Sequence, residues 1–170
     1  MSLPLSIILS AAPSGHRVDQ AVAVSIEVRN ISQKPLRIVG VLEGSEMGVR
    51  FPHYIPAIKA PVKYEPEMEA YGNVAPLRAV DFRLLLPQES FDPTKPLDDA
   101  AYLPLFLFRN FRPPAPGVYE LSLTLSTESE RDEQWIGIRG YPGEEKALEL
   151  LKDVPRLKIR SNTLLLNVEA

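Results

Sequence analysis

Between residues 21 and 30 the chain alternates with period two. Val22, Val24, Ile26 and Val28 are apolar, and Ala23, Ser25, Glu27 and Arg29 stand between them. Successive side chains of an extended strand point to opposite faces, so this spacing predicts a strand with one buried face. Asn30-Ile31-Ser32-Gln33-Lys34-Pro35 reads as a turn, and an apolar run over 36–42 follows it, as in a hairpin or a connection that crosses between sheets. A second clear strand is predicted over 119–125, where Tyr119, Leu121, Leu123 and Leu125 alternate with Glu120, Ser122 and Thr124. The turn signal Pro113-Pro114-Ala115-Pro116-Gly117 precedes it. A closing segment over 157–168 places Leu164, Leu166 and Val168 on one face. Weaker strands are predicted over 3–10, 77–86 (Val80, Phe82, Leu84 and Leu86 on one face) and 102–108. That makes seven candidates, with 47–51 as a possible eighth.

One helix is predicted, over 144–152. Glu144 and Glu145 open it and Lys152 closes it, which suits the helix dipole. Ala147, Leu148 and Leu151 share a face, and Pro155 stops the run. The long irregular stretch is 52–76, with five prolines and three tyrosines; loops of this length are usually functional or partly disordered. No internal repeat is evident.

Three pieces carry a resemblance. Val22-x-Val24-x-Ile26-x-Val28-x-Asn30-x-Ser32 before Pro35-Leu36 resembles the B strand and B–C turn of many bacterial extracellular sandwiches. Pro116-Gly117-Val118-Tyr119-Glu120-Leu121 is similar to a strand-F opening, in which Tyr119 would take the tyrosine-corner role. Ile159-x-Ser161-Asn162-Thr163-Leu164 resembles a closing G strand. The chain thus resembles immunoglobulin-like and fibronectin type III-like domains over about half its length. The resemblance implies an all-β fold: an immunoglobulin-like antiparallel β-sandwich of seven to eight strands, with one short helix inserted near the C-terminus. It departs from the pattern in lacking the B–F cysteine pair and in placing its lone Trp135 after strand F. One domain over 1–170 is expected, with insertions at 52–76 and 137–155.

Composition narrows function mainly by exclusion. With 24% charged residues and a net charge of -3, the chain offers no basic face for nucleic acid. It has no cysteine, which removes disulfides, thiolate metal sites and a cysteine nucleophile. No stretch reaches the roughly 18–20 apolar residues that span a bilayer, so no membrane insertion is expected. Residues 1–9 are apolar without a basic leader region and do not read as a signal peptide. A native signal upstream would select an exported location, periplasmic or extracellular; without one the location is cytoplasmic.

Candidate chemistry is sparse. His53 with Glu65, Glu67 or Glu69 is a conceivable zinc set, although no ligand spacing recurs, and the plainer reading is a solvated loop. Ser14, His16 and Asp19 share one Pro-Gly loop, which does not fix a base between nucleophile and orienter. Asp98-Asp99 and the acidic run 128–133 lack dedicated calcium-loop spacing. Gly137 to Gly143 leads into a helix that opens on two glutamates, so it reads as a turn and not as an anion cradle. Asn30-Ile31-Ser32 fits a glycosylation triplet within a strand-end turn. No catalytic residue, metal or cofactor is therefore assigned.

Aromatic side chains carry the most weight. Phe51, His53, Tyr54, Tyr64 and Tyr71 fall in or beside one long connection, and Tyr102, Phe106, Phe108 and Phe111 near another. They can supply rigid contact area for a protein or glycan partner, or they can pack the loops onto the sheet. The expected function is a non-catalytic immunoglobulin-like binding module at the cell surface or in the periplasm, using Phe51, His53, Tyr54, Tyr64 and Tyr71. The alternatives are a protease-inhibitor-type sandwich presenting Arg50, Arg112 or Lys63, and an accessory domain of a larger enzyme. The sequence leaves oligomeric state open.

Overall fold

A computed structural model describes residues 2–67, 74–95 and 105–170. Strand dominates, and the described residues form several sheets and two short α-helices. The strands are β1 (Leu5–Ser10), β2 (His16–Arg17), β3 (Ser25–Asn30), β4 (Leu36–Val39), β5 (His53–Lys59), β6 (Phe82–Leu85), β7 (Ser90–Phe91), β8 (Gly117–Ser126), β9 (Lys158–Arg160) and β10 (Leu164–Glu169). The helices are α1 (Phe106–Arg109) and α2 (Glu144–Leu151).

The first sheet has the order β1-β3-β7, and the second β2-β10-β8-β5 with β9 also on β8; β4 and β6 form a separate pair. Alternation on β8 buries Tyr119, Leu121, Leu123 and Leu125. They share one core with Leu5, Ile7 and Leu9 of β1, Ile26 and Val28 of β3, and Leu166 and Val168 of β10. β9 and β10 lie along the same edge of β8 and are joined through Ser161. Its N–H donates to Leu123 O (2.9 Å), and its hydroxyl accepts from Leu123 N–H (2.9 Å), so a side chain continues the ladder. The next residue, Asn162, turns to β1: its Oδ1 accepts from Leu9 N–H (2.7 Å) and its Nδ2 donates to Leu9 O (3.0 Å). The two sheets are stitched there by one amide.

The β4–β6 pair serves two cores. Ile38 and Leu85 face the main one, while Val39 and Phe82 pack into a second built around Trp135, Ile136, Ala147, Leu151 and Val154. Trp135 is fully buried, donates from Nε1 to Ser129 O (3.0 Å) and lies under the Arg156 guanidinium, 5.1 Å from the ring centre. The apolar face read on α2 is the face that closes this core.

Several expectations are corrected. Most of 52–76 was expected to be a loop, yet its first part is β5, paired along its full length with β8 from His53↔Ser126 to Lys59↔Glu120. Pro56 and the β5 spacing hid a strand that β8 recruits, and 47–51 is turn instead of strand. Over 77–86 the predicted buried face holds at Phe82, which packs into the second core, and fails at Val80, Leu84 and Leu86, which are exposed. A 3-10 turn at Ala79–Asp81, pinned by Asp81 accepting from Arg78 N–H (2.8 Å), shifts the phase before β6 begins. Leu85 is 0% exposed and Leu84 50%, so at its end β6 turns to the main core the face opposite to the one the alternation predicts. The strand expected over 102–108 is, in its described part, the single turn α1. Strands number ten among the described residues, and the short β2 runs parallel to β10, so the pairing is not wholly antiparallel.

Candidate functional site

Past Lys59 the chain leaves β5 and carries Tyr64 back over the open end of the main core. The Tyr64 ring meets Phe111 edge-on at 6.0 Å, and Phe111 meets Tyr119 at 5.6 Å. Phe111 and Tyr119 are fully buried, so Tyr64 is the outermost ring of a file that runs into the core. The Tyr119 hydroxyl donates to Ala115 O (2.8 Å) and accepts from Ala115 N–H (3.2 Å), the back-bond its position predicts. Burial, and secondarily Tyr119, push the Tyr64 phenol above its ordinary pKa.

Opposite Tyr64 stands α1. A single turn is too short to persist by itself. Here the Glu46 carboxylate accepts from the N–H groups of Phe106 (2.8 Å) and Leu107 (2.7 Å), satisfying two donors that the helix leaves free and placing a negative charge at its positive end. Asn110 Nδ2 donates to Phe106 O (2.9 Å) at the other end. Tyr64, Pro66, Glu67, Phe106, Leu107 and Asn110 then line a groove of about 170 Å³. That is smaller than the roughly 300–1,000 Å³ typical of small-molecule pockets and suits a protruding side chain.

Two other concavities differ in kind. A void of about 10 Å³ is lined by Val28, Tyr54, Phe91 and Leu125 of the main core and by Val39 and Val154 of the second, and has room for one water at most. A hollow of about 640 Å³ at the start of α2 is lined by Gly140, Tyr141, Gly143, Glu144, Glu145, Lys146 and Leu148, most of them exposed. Glu144 there is already engaged by Gly140 N–H (2.6 Å) and by Arg139 (3.5 Å).

The expected binding residues do not form one cluster. Tyr54 is 1% exposed, and its hydroxyl donates to Val39 O (2.6 Å), so it is a core residue and not a contact residue. Phe51 and His53 are half-buried and stacked at 3.7 Å, with Phe51 also 5.7 Å from Trp135. They sit at the start of β5, whereas Tyr64 lies beyond its far end. Burial, and then Lys158, lower the His53 pKa below its ordinary value. Tyr71, Tyr102, Glu69 and Asp98-Asp99 lie outside the described residues. Phe108 is fully buried.

The remaining candidates resolve into structural roles. Arg50 is 3% exposed and spans two carbonyls, Ala75 O and Trp135 O, so it is not a presented inhibitor residue. Its guanidinium is lowered to about 10 by burial, against the attraction of Asp81 and Glu43. Arg112 donates to Asp19 O (2.8 Å), and Lys63 pairs with Glu65 (2.9 Å) on the surface. His16 is buried with Nε2 2.7 Å from Ala12 O, and Ser14 is exposed. Asn30 is fully buried: Nδ2 donates to Lys34 O (2.8 Å) and Leu85 O (2.9 Å), and Oδ1 accepts from Ser32. The folded chain leaves no room for a sugar on that amide. Among the described residues no three His, Asp or Glu side chains gather to hold a metal ion, and no helix is long and apolar enough to cross a membrane. Sequence reasoning missed Leu107, Asn110 and Glu46; the only signal was the i, i+4 pairing of Phe106 and Asn110, which a strand reading discards.

Comparison with known protein families, with curated proteins and with solved structures finds no match to this chain.

Proposed function

We propose that the chain is an immunoglobulin-like β-sandwich acting as a non-catalytic binding module for a protein partner, with the Tyr64–Phe106 groove as its contact site. The observation that carries this reading is the groove's construction. Its outer ring is backed by the fixed file Phe111–Tyr119, and its opposite wall is a helical turn that a charged side chain holds in place. Pre-organised aromatic surface of this kind gives contact area without the entropic cost of ordering a loop. Catalysis is disfavoured because the buried titratable groups are engaged with the backbone: Arg50 on two carbonyls, His16 on Ala12 O and Asp81 on Arg78 N–H. A glycan site would need several polar groups converging on a sugar, whereas among the described lining residues the polar side chains are Tyr64, Glu67 and Asn110, and the Asn110 amide already donates to Phe106 O.

The test is selection of binders from a displayed random-peptide library on the intact chain, followed by measurement with Phe106→Asp and Glu67→Lys. The reading predicts peptides anchored by one apolar side chain whose affinity falls at least about tenfold with Phe106→Asp. Binders indifferent to both substitutions, or none at all, would refute it.

A further inference from the structure

The chain leaves β8 at Thr127 and returns to β9 at Leu157, and the two points are tied together. Thr127 N–H donates to Leu157 O (2.8 Å), and the Thr127 hydroxyl accepts from Leu157 N–H (3.0 Å) and donates to Pro155 O (2.6 Å). Beyond this neck the excursion through 128–156 builds most of the second core, whose buried residues are distinct from those of the main core. On the sheet side, β8–β9 pairing resumes at once with Ser126↔Lys158.

Polar burial is uneven between the cores. Among the described residues, buried side-chain nitrogens without a hydrogen bond are the Nε atoms of Arg29, Arg37, Arg50 and Arg156. Three of these belong to the second core's surroundings: Arg50 grips Trp135 O, Arg156 covers the Trp135 ring with its Nε 3.7 Å from Glu130, and Arg37 Nε lies 3.5 Å from Asp153. Arg37 Nε and Arg156 Nε each face a carboxylate, whereas Arg50 Nε has neither a hydrogen bond nor an ion pair, so its burial raises the free energy of the closed state and opening returns it to water. The same holds for the desolvated Arg50 cation. Regular structure in the excursion is slight. α2 has eight residues, starts at Gly143 without a side-chain cap and is too short to persist alone, so its helicity depends on the core it closes.

We propose that the second core opens as one unit, hinged at the Thr127–Leu157 neck, while the main core and both large sheets stay folded. Opening uncovers Val39, Leu42 and Leu77 and frees Arg50, making the far side of the β4–β6 pair a face that exists only in the open form. Local opening of contiguous cooperative units is common, and here the boundary falls where the neck bonds lie.

Trp135 is the only tryptophan in the chain, so its fluorescence reports the second core alone. Denaturant unfolding of the full chain is followed by Trp135 emission and by far-ultraviolet circular dichroism, with amide exchange read in parallel. The expected result is an earlier Trp135 transition, and amides of Ala147 and Leu151 exchanging at least about tenfold faster than those of Leu121 and Leu123. Ala147→Gly then moves the Trp135 transition and leaves the sheet transition in place. Coincident transitions, equal protection, or an Ala147→Gly variant that shifts both signals together would overturn the proposal.

Discussion

The main core and the second core are built from similar residue types but held by different means. Within each large sheet, strand pairs with strand, and the inner positions of β8 are filled by Tyr119, Leu121, Leu123 and Leu125. Polar groups at that margin, such as Asn30, Ser161 and Asn162, each find matched partners. Around Trp135 the backbone is mostly turn, and arginines do the joining. Regular pairing satisfies the backbone as a by-product of geometry, whereas irregular backbone must be satisfied residue by residue. The second region is therefore joined by a few long side chains together with single backbone bonds, such as Phe51 N–H to Gln134 O (2.8 Å) and Leu77 N–H to Ile136 O (2.9 Å).

That contrast can be broken most forcefully from the main side. Leu123→Ala removes a fully buried side chain at the centre of β8 and should cost about 2–5 kcal/mol in chemical denaturation, with sheet and Trp135 signals both shifted. Asn30→Ala leaves Lys34 O, Leu85 O and Ser32 N–H without their partner, for an expected loss of about 2–3 kcal/mol. From the other side, Arg50→Met strands Ala75 O and Trp135 O but removes a buried cation; about 1–2 kcal/mol is expected, read by Trp135 emission before the sheet signal. Tyr119→Phe deletes the bond to Ala115 and should cost about 1 kcal/mol with the aromatic file intact.

The smallest effect is one of pH. Folding lowers the His53 pKa, through burial first and Lys158 second, so the unfolded chain binds the proton more readily. The stability this group contributes is full above its ordinary value of 6.5 and is lost as pH falls through the folded value. Stability measured from pH 7.5 down to pH 5 should decline slightly, and His53→Gln should remove that component.

Much of this was legible in the chain. β3, β8, β10 and α2 announced themselves because each is amphipathic with the period of its own structure, so burial and sequence agree. β5 did not, since His-Tyr-Ile-Pro-Ala-Ile-Lys mixes faces around a proline and becomes a strand only because β8 lies beside it. β6 misled because Val80, Leu84 and Leu86 keep a perfect alternation that the turn at Ala79–Asp81 throws out of phase. The groove was half visible: the aromatic residues were conspicuous, but their convergence depends on Glu46, which lies 60 residues from Phe106.

The edge of β5 has a consequence beyond the sheet it completes. Tyr54 N–H, on the side away from β8, already donates to Ser45 O (3.0 Å), and Pro56 has no N–H to offer. An incoming strand finds a ladder short of two donors there, which hinders fibril-like self-pairing between chains. A partner at the Tyr54–Pro56 stretch is therefore better held by side-chain shape than by main-chain addition.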